Sequence, residues 1–173
     1  MCSSQSARKK DEFICKVAYK VILVDKLYNC NLMMNHRKVA DHIISLNIDS
    51  DLSAGRISVV DRLSRFPQEK ALVFANKYCH FHQPDKFPIW DKFTAIGSGD
   101  LMGKKYLKKR NYSQFKSDID ILISKTGSQL SYKILDEYLW LYGQKIKNYK
   151  KSSAEIKELS KRFPHLFSQL YRF

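Results

Sequence analysis

Glycine and proline are scarce, 6 and 4 in 173 residues, and 44% of the side chains are apolar. That composition excludes a collagen-like, low-complexity or disordered chain. Cysteine is also sparse. The four present (Cys2, Cys15, Cys30, Cys79) include no CxxC pair, which argues against a disulfide framework and against a structural zinc site. Unbroken apolar stretches of membrane-spanning length are missing too. Arg8-Lys9-Lys10 runs into Asp11 and Glu12 rather than into an apolar leader, so the expectation is a soluble cytoplasmic protein with no membrane partner. The remaining shortage is acid: 17 Asp and Glu stand against 31 Lys and Arg, for a net charge of +14.

The excess charge is local. Up to residue 100 there are 15 basic and 11 acidic side chains, and beyond it 16 and 6. Two segments concentrate it, Lys104-Lys105-Tyr106-Leu107-Lys108-Lys109-Arg110 and Lys145-Ile146-Lys147-Asn148-Tyr149-Lys150-Lys151. Each mixes cations with tyrosine. Phosphate backbones attract such segments by counterion release and rings stack on bases, so nucleic acid is the expected partner, with a merely solvated face and, behind it, an anionic membrane surface as the alternatives.

Apolar spacing reads as helix throughout, with no convincing strand alternation. Phe13, Ile14, Val17, Val21, Val24 and Tyr28 predict a helix from Asp11 to Asn29, and Asn35 is a plausible N-cap for a second reaching Leu46. A third is expected near Ile57 to Phe66 and a fourth over Gln68 to His82, apolar nearly all round. The loop His82-Gln83-Pro84-Asp85-Lys86-Phe87-Pro88 follows, because two prolines four apart cannot lie within a helix. A short helix from Ile89 should stop at Gly97-Ser98-Gly99. Ser113 should cap the next, Ser131 should open one through Lys147 with Trp140 off its core stripe, and Ser152-x-x-Glu155 has the form of a capping box. The fold class expected is all-α, a single-domain helical bundle at 13–150. A basic segment at 1–12 precedes it, and an amphipathic helix at 151–173 docks on the domain or on a partner.

Chemically capable groups crowd between Phe74 and Asp91. Lys77 is embedded in apolar sequence, the setting in which a lysine serves as a Schiff-base nucleophile, and Asp91 follows across the proline loop. A buried Lys77–Asp91 ion pair, or a lysine snorkelling to water, is the structural alternative. Phe81, Phe87 and Trp90 could line a slot for an extruded base with His80 or His82 at its edge, or could simply fill a core. Cys79-His80-Phe81-His82 lacks a second cluster at zinc spacing, so no metal is expected. Cys79 and His80, as helix neighbours, point about 100° apart and do not make a nucleophile pair. Gly97-Ser98-Gly99 lacks the residues of a phosphate-binding loop.

The run Phe74-Ala75-Asn76-Lys77 through Phe87-Pro88-Ile89-Trp90-Asp91 resembles the catalytic region of helix-hairpin-helix DNA glycosylases, closest to the bacterial 8-oxoguanine-glycosylase-like proteins. Leu135 to Lys145 is similar to the closing helix of that group, so the likeness spans roughly Ile57 to Lys147. The resemblance implies excision of an oxidised purine from DNA, with RNA as the alternative polymer. Lys77 would attack the anomeric carbon and Asp91 would take the proton and stabilise the cationic sugar. No metal or organic cofactor is implied. The family's hairpin glycines are missing, since Ile57 to Ile96 holds no glycine, and Ser64-Arg65-Phe66-Pro67-Gln68 stands in their place with Arg65 as a phosphate contact. The competing expectation is a catalytically inactive DNA-binding or defence-associated interaction protein. The nucleic-acid-binding set is Arg65, Lys104, Lys105, Lys108, Lys109, Arg110, Lys145, Lys147, Lys150 and Lys151.

Overall fold

A computed structural model of the chain describes residues 2–32, 36–66, 71–104, 111–126, 130–147 and 161–162, with side chains from residue 11 onward. The all-α expectation holds: eight helices and no strand occur among the described residues. They fall into two compact units, Met1–Gln83 and Pro84–Phe173. The break lies inside the proline loop, where the backbone donors of a helix are missing. None of the described helices is long and apolar enough to cross a membrane.

The first unit holds α1 (Cys2–Leu27), α2 (His36–Leu46), α3 (Asp49–Ser53), α4 (Ser58–Leu63) and α5 (Ala71–His82). α1 begins well before Asp11, within the segment read as a separate basic arm. Nothing between Cys2 and Lys10 breaks a helix, and Ala, Arg, Lys and Gln favour one even where no apolar period announces it. α1 packs on α2 and α5, and α4 packs on α5. Val21, Val24, Val39, Val59, Val60, Leu63 and Phe74 are wholly buried between them. α4 lies inside the helix expected near Ile57 to Phe66, and α3 is an additional short helix before it; Gly55 turns the chain between the two at a φ of 73° that other residues avoid. Arg62 ties this corner together, donating to Asp51 Oδ2 at 2.8 Å and to the carbonyl of Leu46.

The second unit holds α6 (Lys92–Met102), α7 (Tyr112–Lys125) and α8 (Tyr132–Lys147). α6 runs straight through Gly97-Ser98-Gly99, and the stop is Gly103 in the left-handed region, φ 64°. The glycines serve packing instead. A Cβ on Gly97 would lie 2.5 Å from the Leu139 carbonyl oxygen, and one on Gly143 would lie 1.9 Å from that of Phe93. Two bare backbone surfaces therefore let α6 and α8 touch. Tyr142 donates from its hydroxyl to Asp100 Oδ2 at 2.5 Å across the same contact. α7 is capped by Asn111, whose side chain accepts from Gln114 N–H, and not by Ser113. Ser131 does open α8, with its hydroxyl accepting from Ile134 N–H at 3.4 Å. Asn35, Gly127 and the Ser152 capping box lie outside the described residues. Of the C-terminal segment only 161 and 162 are described, and Arg162 donates to the Glu137 carboxylate on α8.

Candidate functional site around Lys77

Lys77 sits on α5 and is only 7% exposed. Its Nζ donates to the backbone carbonyl of Tyr28 at 2.9 Å and lies 6.0 Å from the centre of the Tyr28 ring. Among the described residues the amine makes no ion pair. An amine withdrawn from water, with one neutral acceptor and no carboxylate beside it, is an uncommon arrangement, because buried charge is ordinarily compensated. His80, one turn further along α5 and also 7% exposed, meets the same Tyr28 ring edge-on at 6.2 Å.

The loop that supplies the Tyr28 carbonyl is built for the purpose. Asn29 and Asn31 adopt left-handed conformations, φ 49° and 54°, which asparagine tolerates better than most residues. Asp25, 4% exposed, braces the turn from beneath: Oδ1 accepts from Leu32 N–H at 2.9 Å, and Oδ2 lies 3.1 Å from His36 Nε2. The Asp25 carbonyl also accepts from Cys30 N–H at 3.0 Å. The chain thus assembles Asp25, Tyr28, His36, Lys77 and His80 in one place. Sequence reasoning found the two α5 residues and missed the other three. The available signal was an acidic residue inside the apolar period of α1, with asparagines four and six residues later.

Other groups of α5 are held in neutral form. Burial pushes the Cys79 thiol well above its ordinary range, so it is not a nucleophile. Burial likewise raises Tyr78 and lowers His82, the latter with help from Lys20 and against Asp49. The rings of His42, Phe66, Phe74, Tyr78 and His82 form a chain of contacts with centroids 4.7–6.0 Å apart. His82 is thus a half-buried ring at the end of that chain. Phe81 is half-buried.

In the second unit Asp91 is the N-cap of α6. Its Oδ1 accepts from Phe93 N–H at 2.8 Å and Thr94 N–H at 3.0 Å, while its own N–H donates to Thr94 Oγ1 at 2.8 Å, a complete capping box. Oδ2 accepts no hydrogen bond among the described residues. Phe87 and Trp90 are buried in the core of this unit. Trp90 stacks on Phe115 at 5.7 Å and on Tyr112 at 6.4 Å, and Tyr112 donates from its hydroxyl to the Pro88 carbonyl at 2.8 Å. These two aromatics fill space, the alternative the sequence left open, because the extended segment before α6 delivers them to the inner face of α7.

The basic residues divide by environment. Arg65 and Lys147 are exposed. Lys104 is committed to buried Asp118 at 2.6 Å, and Lys145 is 9% exposed. Lys105, Lys108, Lys109, Arg110, Lys150 and Lys151 lie outside the described residues.

Residues 4–86 match the HI_0787_N family, described as an N-terminal domain. That span ends just past the first unit and contains the whole Lys77 cluster, while Asp91 lies beyond it. A protein of Haemophilus influenzae (strain ATCC 51907 / DSM 11121 / KW20 / Rd), named "Uncharacterized protein", is 33% identical over 149 residues, 79% of this chain and 70% of the relative. The chain belongs to the family of that protein. No solved structure matches it. Family membership extends over the first unit and well into the second, so both units belong to what the relatives share.

Proposed function

We propose that this protein processes damaged DNA through a Schiff base at Lys77, as a glycosylase/lyase acting on oxidised purine nucleotides. The helical scaffold is proposed to be that of the helix-hairpin-helix glycosylases, on the strength of the Lys77, Pro88 and Asp91 run. The observation that carries the reading is the state of the Lys77 amine, buried on the central helix of its unit without a carboxylate partner among the described residues. A lysine kept for stability would ordinarily be paired or would reach water.

In this reading the bond between Nζ and the sugar C1′ forms as the bond from C1′ to the base breaks, and the base leaves with the bonding electrons. The amine proton passes to a base, the role that the resemblance gives to Asp91. The ring oxygen then leaves C1′ with the bonding electrons and takes up that proton, and the nitrogen lone pair closes an imine joining C1′ to Nζ. Tyr28 must release the amine first, so the Asp25-braced turn controls access to it. Borohydride reduction of that imine on DNA carrying 8-oxoguanine or an abasic site tests the assignment.

A second reading is favoured by the same contact seen the other way. Nζ is already hydrogen-bonded to Tyr28 and Asp91 already caps α6, so both groups have structural employment. Salt-dependent DNA binding without an adduct would mark the protein as a scaffold that binds nucleic acid without cutting it.

A further inference from the structure

On the second unit an aromatic and cationic surface has no part in the Lys77 chemistry. Trp140 is 41% exposed, although large aromatics are ordinarily buried, and it meets the Phe93 ring edge-on at 5.9 Å. Lys147 Nζ lies 5.5 Å from the centre of that Phe93 ring. Lys92 is the chain neighbour of Phe93, and its side chain, by hydrogen bonding and then by like charge, holds Lys147 below the usual lysine range. Neither lysine forms an ion pair among the described residues. Two cations drawn together at a surface with no anion between them are complementary to a phosphate.

Spacing along α8 extends the surface. Trp140, Gln144 and Lys147 follow one another at intervals of four and three, which places them on one face. Asp136, one turn before Trp140, sets an acidic limit to the strip at its far end, and the Asp91 carboxylate beside Lys92 is turned to the α6 backbone amides. Beyond Lys147 the sequence continues Asn-Tyr-Lys-Lys.

We propose that Trp140, Phe93, Lys92 and Lys147 form a binding surface for single-stranded nucleic acid. A base stacks on Trp140 and the adjoining phosphate sits between the two lysines. Exposed indole favours the single strand over the duplex, since only an unpaired base offers its face. The inference rests on the reading that nucleic acid is the partner, and it adds the strand state and the contact groups. It does not depend on Lys77.

The test is fluorescence-anisotropy titration of the full chain with a labelled 20-nucleotide oligothymidine and with a duplex of equal length, over a range of salt. Wild type is expected to bind the single strand more tightly. Trp140→Ala should weaken that binding about tenfold, within the range known for stacked bases, and Trp140→Phe should restore part of it. Lys92→Gln and Lys147→Gln should each lower the salt slope by about 0.7, while Lys38→Gln on the first unit should leave it unchanged. Single-strand binding that ignores Trp140, Lys92 and Lys147 would overturn this surface and leave nucleic acid as the partner. Failure to bind either oligonucleotide at low salt would overturn both.

Discussion

Gly143 of α8 faces the carbonyl oxygen of Phe93 on α6 so closely that a Cβ at this position would stand 1.9 Å from it. The obstacle is backbone, which cannot swing aside as a side chain can. Gly143→Ala is therefore expected to force the two helices apart and destabilise the protein by about 1–3 kcal/mol or more. Gly97→Ala, with 2.5 Å to the Leu139 carbonyl oxygen, should cost less. Urea unfolding followed by circular dichroism checks the order. Because Phe93 and Trp140 belong to the same contact, single-strand affinity should fall along with stability.

That pair also shows how far the sequence was legible. Helices were readable because apolar residues repeat at three and four, and Ser131, Gly55 and the two prolines of the loop act on their immediate neighbours. Gly97-Ser98-Gly99 was not readable, because its reason lies on another helix more than forty residues away and the local signal alone says stop. Lys77 stood out as a cation in apolar surroundings. Its partner did not, because a backbone carbonyl carries no residue signature and Tyr28 is remote in sequence. Asn111 displaced Ser113 as a cap by a shift of two residues, within the usual blur of helix ends.

Asp25 is the brace of the turn over Lys77, accepting from Leu32 N–H with one oxygen and facing His36 with the other. Asp25→Ala leaves that part-buried donor unmet and is expected to cost about 1 kcal/mol. His36→Gln, at a partly exposed site, should cost less. Hydrogen exchange should show the amides of Cys30 and Leu32 losing protection in Asp25→Ala before the rest of the first unit does.

Cys15 is exposed, whereas Cys30 and Cys79 are buried, and burial raises the Cys79 thiol well above its ordinary range. Native protein treated with iodoacetamide at pH 8 and mapped by mass spectrometry should carry label at Cys15 and none at Cys79. Urea should expose Cys79 to labelling. Rapid native labelling of Cys79 would mean that α5 opens readily, and that Lys77 is accessible by the same motion.

Burial lowers His82 from a usual value near 6.5. The unfolded chain then binds a proton more readily than the folded one, so stability begins to be lost as pH falls through about 6.5, and the loss continues down to the folded value. Stability should therefore rise with pH across that window. His82→Phe, which keeps a ring against Tyr78, should flatten the profile there. Urea midpoints measured between pH 5 and 8 supply the comparison.

Trapping decides the central claim. The full chain is mixed with duplex and with single-stranded DNA bearing 8-oxoguanine or an abasic site, borohydride is added, and the cross-linked peptide is sequenced. The expected result is a covalent adduct on Lys77 that disappears in Lys77→Gln, in a variant shown by circular dichroism to be folded. No adduct on either lesion, or one that persists in Lys77→Gln, would contradict the assignment of Lys77 as the nucleophile.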